Sequence, residues 1–335
     1  MSLFELNCPE CNSQDLKCHT TYTVNDGEER QILNCQECGN YFSETQNTPI
    51  ARLRTPLSFI ILVLNALNEG MSINAAVRTF GTSKKSIKRW LERLGSLKET
   101  LLLYALCHQF LQQIVEGDEL YTKVHRNKPP MESEGWTIVL MERASRFIWE
   151  LACGEKETEL FQMAIETLAK VIEQTSDLSL VTDGERRYGN LLFEICQEVV
   201  RTGRVGRPPT TLKKGVKVRL KNKGSQSNKR GRKRPKYQTP HREHPETEQN
   251  LNNQDVHANH LEGFNAALRR RLSCYRRKTN TYAKQQKFLQ TRLDAYWVLH
   301  NFVWKHFTTK QLPAVALGIL SAGLSLAQLF RIQLT

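Results

Sequence analysis

The chain has 335 residues, with 48 Lys+Arg against 34 Asp+Glu and a formal net charge of +14. That length is more than one small domain needs, so two or three units are expected, and 39% hydrophobic residues exclude a wholly disordered chain. The charge excess is local. Arg201 to Arg242 holds 16 Lys+Arg and no carboxylate, while the rest of the chain is near balance at 32 against 34. A block of this kind points to a polyanionic partner, nucleic acid first, with a solvated charge run as the rival.

Residues 1–15 are polar and carry Cys8 and Cys11, which does not read as a secretory signal. Within residues 1–50, Cys8/Cys11 and Cys35/Cys38 form two CxxC pairs separated by 23 residues. Between them, Lys17 to Val24 and Gln31 to Asn34 are β-type runs joined by an Asn25-Asp26-Gly27 turn signal. Four thiolates on two tight turns close a tetrahedral Zn²⁺ site with no open position, so a structural zinc ribbon is expected, its small core covered by Tyr41 and Phe42. A redox CxxC is the alternative, and Cys18 and His19 are spare ligand candidates. With nine cysteines and no signal peptide, metal binding in a reducing cytoplasm is expected rather than disulfides.

Residues 55–95 have helical periodicity alone. Leu57 to Leu67 is the first helix. Ser72 can cap a second, Ile73 to Phe80, which Gly81 ends, and Ser83 can cap a third, Lys84 to Leu94. Ile87, Trp90, Leu91 and Leu94 form the buried stripe of the third helix, leaving Lys84, Lys85, Lys88 and Arg89 for DNA. This is the helix-turn-helix arrangement, with a plain three-helix packing module as its rival. Leu97 to Phe110 reads as a linking helix.

The pattern then changes to strands at Gln113 to Val124, Gly135 to Glu142 and Phe147 to Ala152. An amphipathic helix over Glu157 to Gln174 follows, then a fourth strand, Leu178 to Thr182. Three antiparallel strands, a helix and a returning strand are the order of an RNase H-like core. That topology would set Asp118 of the first strand beside Asp183, at the end of the fourth. Glu262 opens a helical stretch, His260 to Ser273, with Asn265 and Arg269 on the same face at i+3 and i+7. Two strand aspartates and a helix glutamate can hold paired Mg²⁺ or Mn²⁺ ions, which suit in-line phosphoryl transfer. Glu116 and Glu119 compete with Asp118 for this role, and Glu243, Glu246, Glu248 and Asp255 compete with Glu262. His257 and His260 flank the site and can orient water or a ligand, or act only as surface or capping groups.

Within the basic window, Val216, Val218 and Leu220 alternate with Lys217, Arg219 and Lys221, which predicts a strand with one cationic face toward a DNA backbone. Gly206-Arg207-Pro208-Pro209 and Arg230 to Pro235 look like minor-groove hooks. The apolar stretch Leu312 to Phe330 is interrupted by Gly318, Ser321, Gly323, Ser325 and Gln328, so two short helices broken at Ser321 to Gly323 are expected, not a membrane span.

On these motifs the chain resembles DDE transposases of bacterial insertion sequences, most closely the insertion-sequence-one (InsAB-like) group. The matching pieces are the Cys8/Cys11/Cys35/Cys38 ribbon, the Ser72–Leu94 helices, GDELYTKV around Asp118, LVTDGERRYGN around Asp183 and HANHLEGFNAALRRRLSCYRRKTNTYAK around Glu262. The resemblance implies Asp118, Asp183 and Glu262 as metal carboxylates, with Asn265, Arg269, Arg277 and Lys278 as DNA contacts. It also implies double-stranded DNA partners, namely the element's terminal repeats and a target, and a homo-oligomer assembled on them in the bacterial nucleoid. The basic segment before Glu262 is longer than in compact members.

The expected architecture is therefore multidomain α+β. It comprises a zinc ribbon (1–50), a helix-turn-helix domain (55–95), an RNase H-like α/β catalytic core (110–200 and 255–310) interrupted by a basic insertion (201–250), and a C-terminal helical tail (311–335). The competing functions are a non-enzymatic ribbon and helix-turn-helix regulator with a degenerate catalytic domain, and a structural or RNA-binding module built on the basic block.

Overall fold

The β-type runs between the cysteine pairs fold back on each other as an antiparallel sheet. In a computed structural model, the described residues are 3, 5–24, 27–125, 129–201, 203, 205–221, 237–238, 241–249, 251–252, 255–277 and 280–334. β1 (Leu16–Thr23), β2 (Glu29–Cys35) and β3 (Tyr41–Ser43) lie in that order. Gly27, at φ 82°, belongs to the β1–β2 turn, and Asn25 and Asp26 lie outside the described residues. This sheet has its own core of Cys8, Leu33, Cys35 and Phe42. Tyr41 does not join it. Strand alternation turns it outward, where it is 57% exposed and meets His19 edge-on.

Next come α1 (Leu57–Asn68), α2 (Ile73–Phe80), α3 (Lys84–Gly95) and α4 (Leu97–Leu106). Ser72 Oγ accepts from the Ala75 N–H at 3.2 Å and Ser83 Oγ from the Ser86 N–H at 3.0 Å, so both expected caps form. Gly81 ends α2 at φ 63°, a left-handed conformation that a side chain would strain. The linking helix ends at Leu106, four residues earlier than expected, because Phe110 instead forms a β-bridge to Thr175.

The large sheet contains β4 (Gln113–Tyr121), β5 (Trp136–Glu142), β6 (Ile148–Gly154), β7 (Leu178–Thr182), β10 (Val216–Lys221) and β11 (Tyr237–Gln238), in the order β11-β10-β7-β4-β5-β6. β4, β5 and β6 are antiparallel neighbours, while β7 runs parallel to β4 and β10 parallel to β7. Parallel neighbours need crossovers. α5 (Thr158–Ile172) makes the first, burying Leu160, Ala164, Leu168, Val171 and Ile172, the stripe read from sequence. α6 (Arg186–Cys196) and the pair β8 (Gln197–Val199) and β9 (Thr210–Leu212) fill the second. α7 (Asn259–Arg271), α8 (Gln286–Phe302), α9 (Pro313–Ala316) and α10 (Leu326–Leu329) complete the chain. The last two are the short helices expected on either side of residues 321–323. No helix among the described residues is long and apolar enough to cross a membrane.

Two expectations are corrected. Residues 201–250 are not simply an insertion, since β10 is an inner strand of the sheet. Its Lys217 and Arg219 are 2% and 5% exposed, so they present no cationic face to a DNA backbone. Burial demands counter-charges, and Lys217 Nζ sits 2.7 Å from Asp177 while Arg219 pairs with Glu243. Residues 55–95 are likewise not a separate body. The buried side chains of α1–α4 belong to one continuous apolar core with the sheet and α8. A Cβ added to Gly95 of α3 would lie 3.2 Å from Asp294 Cβ and 3.3 Å from the Thr291 carbonyl, so that glycine permits the close α3–α8 crossing.

α8 was not foreseen, although Leu289, Leu293, Tyr296 and Trp297 have helical spacing. It covers the free edge of β6. Asn301 exchanges both amide bonds with the Ile148 backbone at 2.9 Å, and Gln290 and Gln286 bond the backbone of Leu151 and Cys153 at 2.7–3.1 Å. Side-chain amides thus satisfy edge groups that would otherwise be open to another strand.

His300, on the same helix, donates from Nε2 to the Arg146 carbonyl at 2.9 Å, and burial holds its pKa down at about 4. The unfolded chain therefore takes up a proton near the ordinary value of 6.5, well before the folded chain does. Stability is complete above that value and is lost as pH falls towards 4, by up to about 3 kcal/mol. A His300→Asn variant should melt at a lower temperature at pH 7.5 than the parent, yet show a shallower fall in Tm between pH 6.5 and 4.5.

Candidate functional site

The two CxxC turns bring four sulfurs together. Cys8 and Cys38 Sγ are 3.5 Å apart, as are Cys11 and Cys35 Sγ, and all four lie within 4.8 Å of one another. Zn–S bonds of about 2.3 Å in a tetrahedron require S···S edges of about 3.8 Å, so the cluster fits a zinc ion. Cys18 and His19, the spare candidates, are outside the cluster, and all nine cysteines are free thiols. The four thiols cannot ionise alike when crowded. Burial raises Cys8, but the Cys11 and Glu10 N–H groups outweigh it and bring it to about 6. For Cys11, the Ser13 N–H lowers the pKa, yet burial and its thiol neighbours push it up to about 12. A divalent cation would release the held protons and make all four thiolates.

The Asp118, Asp183 and Glu262 carboxylates do not all converge within 4.8 Å of one another; the β4–β7 pairing brings the first two to one end of adjacent strands. Their parallel register runs from Gln113↔Leu178 to Gly117↔Thr182, so Asp118 and Asp183 each follow the last matched pair. Neighbouring strands are about 4.8 Å apart, and residues abreast in a ladder share a face. Gly117 fits a tight space beside β7. A Cβ there would lie 3.2 Å from Thr182 Cγ2, 3.3 Å from Leu140 Cδ2 and 3.6 Å from Tyr188 Cζ. Gly184, at φ 88°, turns the chain just after Asp183. Glu185 then caps α6 by accepting from the Arg187 N–H at 3.1 Å.

Residues two apart on a strand share a face, so Glu116 and Asp118 point one way and Gly117 and Glu119 the other. α7 lies on the Asp118 side. Asn265 Nδ2 donates to Asp118 Oδ2 at 2.8 Å, and Glu262 is exposed one helical turn earlier. Arg269, a turn later, is partly buried. Burial and then Arg277 lower its pKa, while Asp118 raises it, so these three charges share one neighbourhood.

The rivals on β4 are committed elsewhere. Glu119 faces Lys156 at 3.4 Å on the opposite side, and burial raises its pKa. Glu116 is fully buried, 2.7 Å from both Arg143 Nε and His260 Nδ1. Of the rivals to Glu262, Glu243 pairs with Arg219 and Glu246 with Lys214, while Glu248 and Asp255 are exposed. Arg143 had no signal in the sequence. It sits between β5 and β6 and also donates to the Asp255 and His257 carbonyls, both at 2.7 Å.

The expected DNA contacts divide. Lys84, Lys85 and Arg89 are exposed on α3, and Arg277 is exposed beyond α7. Lys88 is not presented outward but lies 3.5 Å over the Phe288 ring of α8. Asn265 is 6% exposed and spends its amide on Asp118, so it orients a carboxylate instead of offering itself to a nucleic acid. Lys278 lies outside the described residues, as does Arg230 to Pro235. A basic surface that sequence reasoning missed lies between the ribbon and α3. Arg52, Arg54 and the half-buried Arg93 line a cleft of about 1120 Å³, together with Arg30, which is buried and paired with Glu28. These arginines are scattered over residues 30–93, so no charge run marks them.

No protein-family model matches the chain, and no curated protein shows significant similarity to it. Replacing Cys35 with Ser should lower bound Zn²⁺ by one equivalent per chain in metal analysis. It should also abolish the intense near-ultraviolet thiolate band of the Co²⁺-substituted protein. A parent protein without that band would remove the ribbon assignment.

Proposed function

We propose that this chain is a metal-dependent DNA transposase of the insertion-sequence-one type, with an RNase H-like catalytic core. One observation supports the reading: the β4–β7 register ends at Gly117↔Thr182, just before Asp118 and Asp183, and Asn265, one turn after Glu262 on α7, is bonded to Asp118. The strand order β6-β5-β4-β7-β10, with the last two parallel to β4, supports it further. So do a ribbon and capped helices that carry exposed Lys84, Lys85 and Arg89.

Three carboxylates are the hard-oxygen donor set that Mg²⁺ or Mn²⁺ prefers, and Asp118, Asp183 and Glu262 would hold these ions. When bound, such a pair supplies Lewis-acid stabilisation of the attacking and leaving oxygens. Asn265 holds Asp118 in one orientation through its 2.8 Å bond. Arg269, beside Asp118, offers a guanidinium to a phosphate. The exposed α3 cations and the arginine cleft would bind duplex ends. The proposed reaction is hydrolysis at the end of the element, which frees a 3′-OH, followed by in-line attack of that 3′-OH on a target phosphodiester. Two ends must be joined, so the working unit on DNA is a homo-oligomer, acting in the bacterial cytoplasm at the nucleoid.

Asp118→Asn, Asp183→Asn and Glu262→Gln should each reduce cutting and joining of terminal-repeat DNA by about 100-fold or more, with binding little changed. An amide keeps the shape of the acid but not the charge that balances a divalent ion. Asn265→Ala should cost about 10–100-fold, as loss of a ligand-orienting partner does. Glu246→Gln and Glu248→Gln are controls and should cut like the parent. Full activity in all three acid variants would end the reading. A parent that binds ends but cuts none with Mg²⁺ or Mn²⁺ would favour the regulator instead.

The cleft makes a separate expectation. Arg52→Ala and Arg54→Ala should each weaken duplex binding and reduce the log–log salt slope by about one unit per lost phosphate contact. Unchanged slopes in a filter-binding or anisotropy titration would put the DNA elsewhere.

A further inference from the structure

We infer that Glu116, His257 and His260 form a further metal site, for a borderline divalent ion such as Zn²⁺, separate from the cysteine cluster and from the three carboxylates. A carboxylate oxygen of Glu116 and one ring nitrogen from each histidine lie within 4.8 Å of one another. Glu116 is fully buried and its Oε2 has no hydrogen-bond partner, and His257 Nδ1 is also buried without one. Leaving two such atoms unsatisfied is costly, and a cation taking a lone pair from each would satisfy both.

The donor set selects the ion. Two imidazoles and one carboxylate suit zinc and its neighbours, whereas Mg²⁺ prefers oxygen alone. Three protein ligands leave at least one coordination position open. Arg143 supplies the outer support that ligands of this kind need. Its Nε holds Glu116 Oε1 at 2.7 Å, leaving Oε2 unengaged, and its two Nη atoms hold the Asp255 and His257 carbonyls at 2.7 Å. The nearby guanidinium disfavours a purely electrostatic guest, and so favours an ion that gains from bonding to nitrogen.

Glu116 belongs to β4, while His257 and His260 stand at the start of α7. An ion here would therefore fasten the first turn of α7 to the strand, about 7 Å along from Asp118 at two residues' rise. The site does not depend on the phosphoryl-transfer reading, because it would bind zinc whether or not the chain cuts DNA.

The full-length protein, saturated with Zn²⁺ and desalted, should retain two ions per chain. Cys8→Ser should lose one, and His257→Ala or His260→Ala the other, while Asp118→Asn keeps both. As a second measurement, protein whose cysteines are filled with Zn²⁺ should gain visible Co²⁺ d–d bands without a thiolate band. His260→Gln should remove them, with far-ultraviolet circular dichroism confirming that it is folded. One zinc in the parent, histidine variants that retain two, or a parent without those cobalt bands would each overturn the site.

Discussion

The parallel pairing of β4 with β7 is the constraint on which the rest depends. Space at position 117 is tight: a Cβ there would meet Thr182 Cγ2 at 3.2 Å and Leu140 Cδ2 at 3.3 Å, so those side chains would have to give way. Once the two strands lie side by side, Asp118 and Asp183, 65 positions apart in sequence, become neighbours. The opposite face of β4 is then occupied by α6 and the Glu119–Lys156 pair, so α7 packs on the Asp118 side. A shift by one residue would exchange the faces on which Asp118 and Glu119 lie, because strand side chains alternate.

Charge in this protein is placed in two ways. Inside, several buried ions have a counter-charge, while Arg292 instead donates to the Leu67 carbonyl at 2.8 Å. Lys98 reaches Glu150 at 2.6 Å and Asp294 at 3.2 Å, tying α4 to β6 and α8, and Thr167 of α5 donates to Glu150 at 2.7 Å. Lys217 and Arg219 are neutralised in the same way within β10. Such pairs add little net stability, but removing one member leaves the other uncompensated. Outside, exposed cations stand on α3 and in the arginine cleft. A linear count of the basic block thus includes two cations, Lys217 and Arg219, that are interior.

The C-terminal segment joins parts that the sequence reads as separate. The Ile50 N–H donates to the Phe330 carbonyl at 3.3 Å and the Leu334 N–H to that of Asn47 at 2.7 Å. Arg331 reaches Glu28 at 2.8 Å, and Gln333 Oε1 accepts from the Asn7 N–H at 3.2 Å. Leu326, Leu329, Phe330 and Ile332 are buried in the same core as α1. The tail thus links the N-terminal sheet to the helices, and the proposed DNA-reading and catalytic parts share one framework.

The sequence by itself determined what local chemistry can encode. The CxxC pairs announced the sulfur cluster, Ser72, Gly81 and Ser83 marked the ends of α2 and α3, and apolar periods of two and 3.6 located β4–β7 and α5. The position of Glu262 one turn before Asn265 was also legible, because a helix repeats every few residues. Only the tertiary structure decided which carboxylates share a face. It also buried Lys217 and Arg219, turned Lys88 onto Phe288, and made Arg143 a clasp between β4 and the start of α7. These outcomes depend on partners 24 to more than 100 residues away. Burial and counter-charge are properties of a packed neighbourhood, and no local pattern records them.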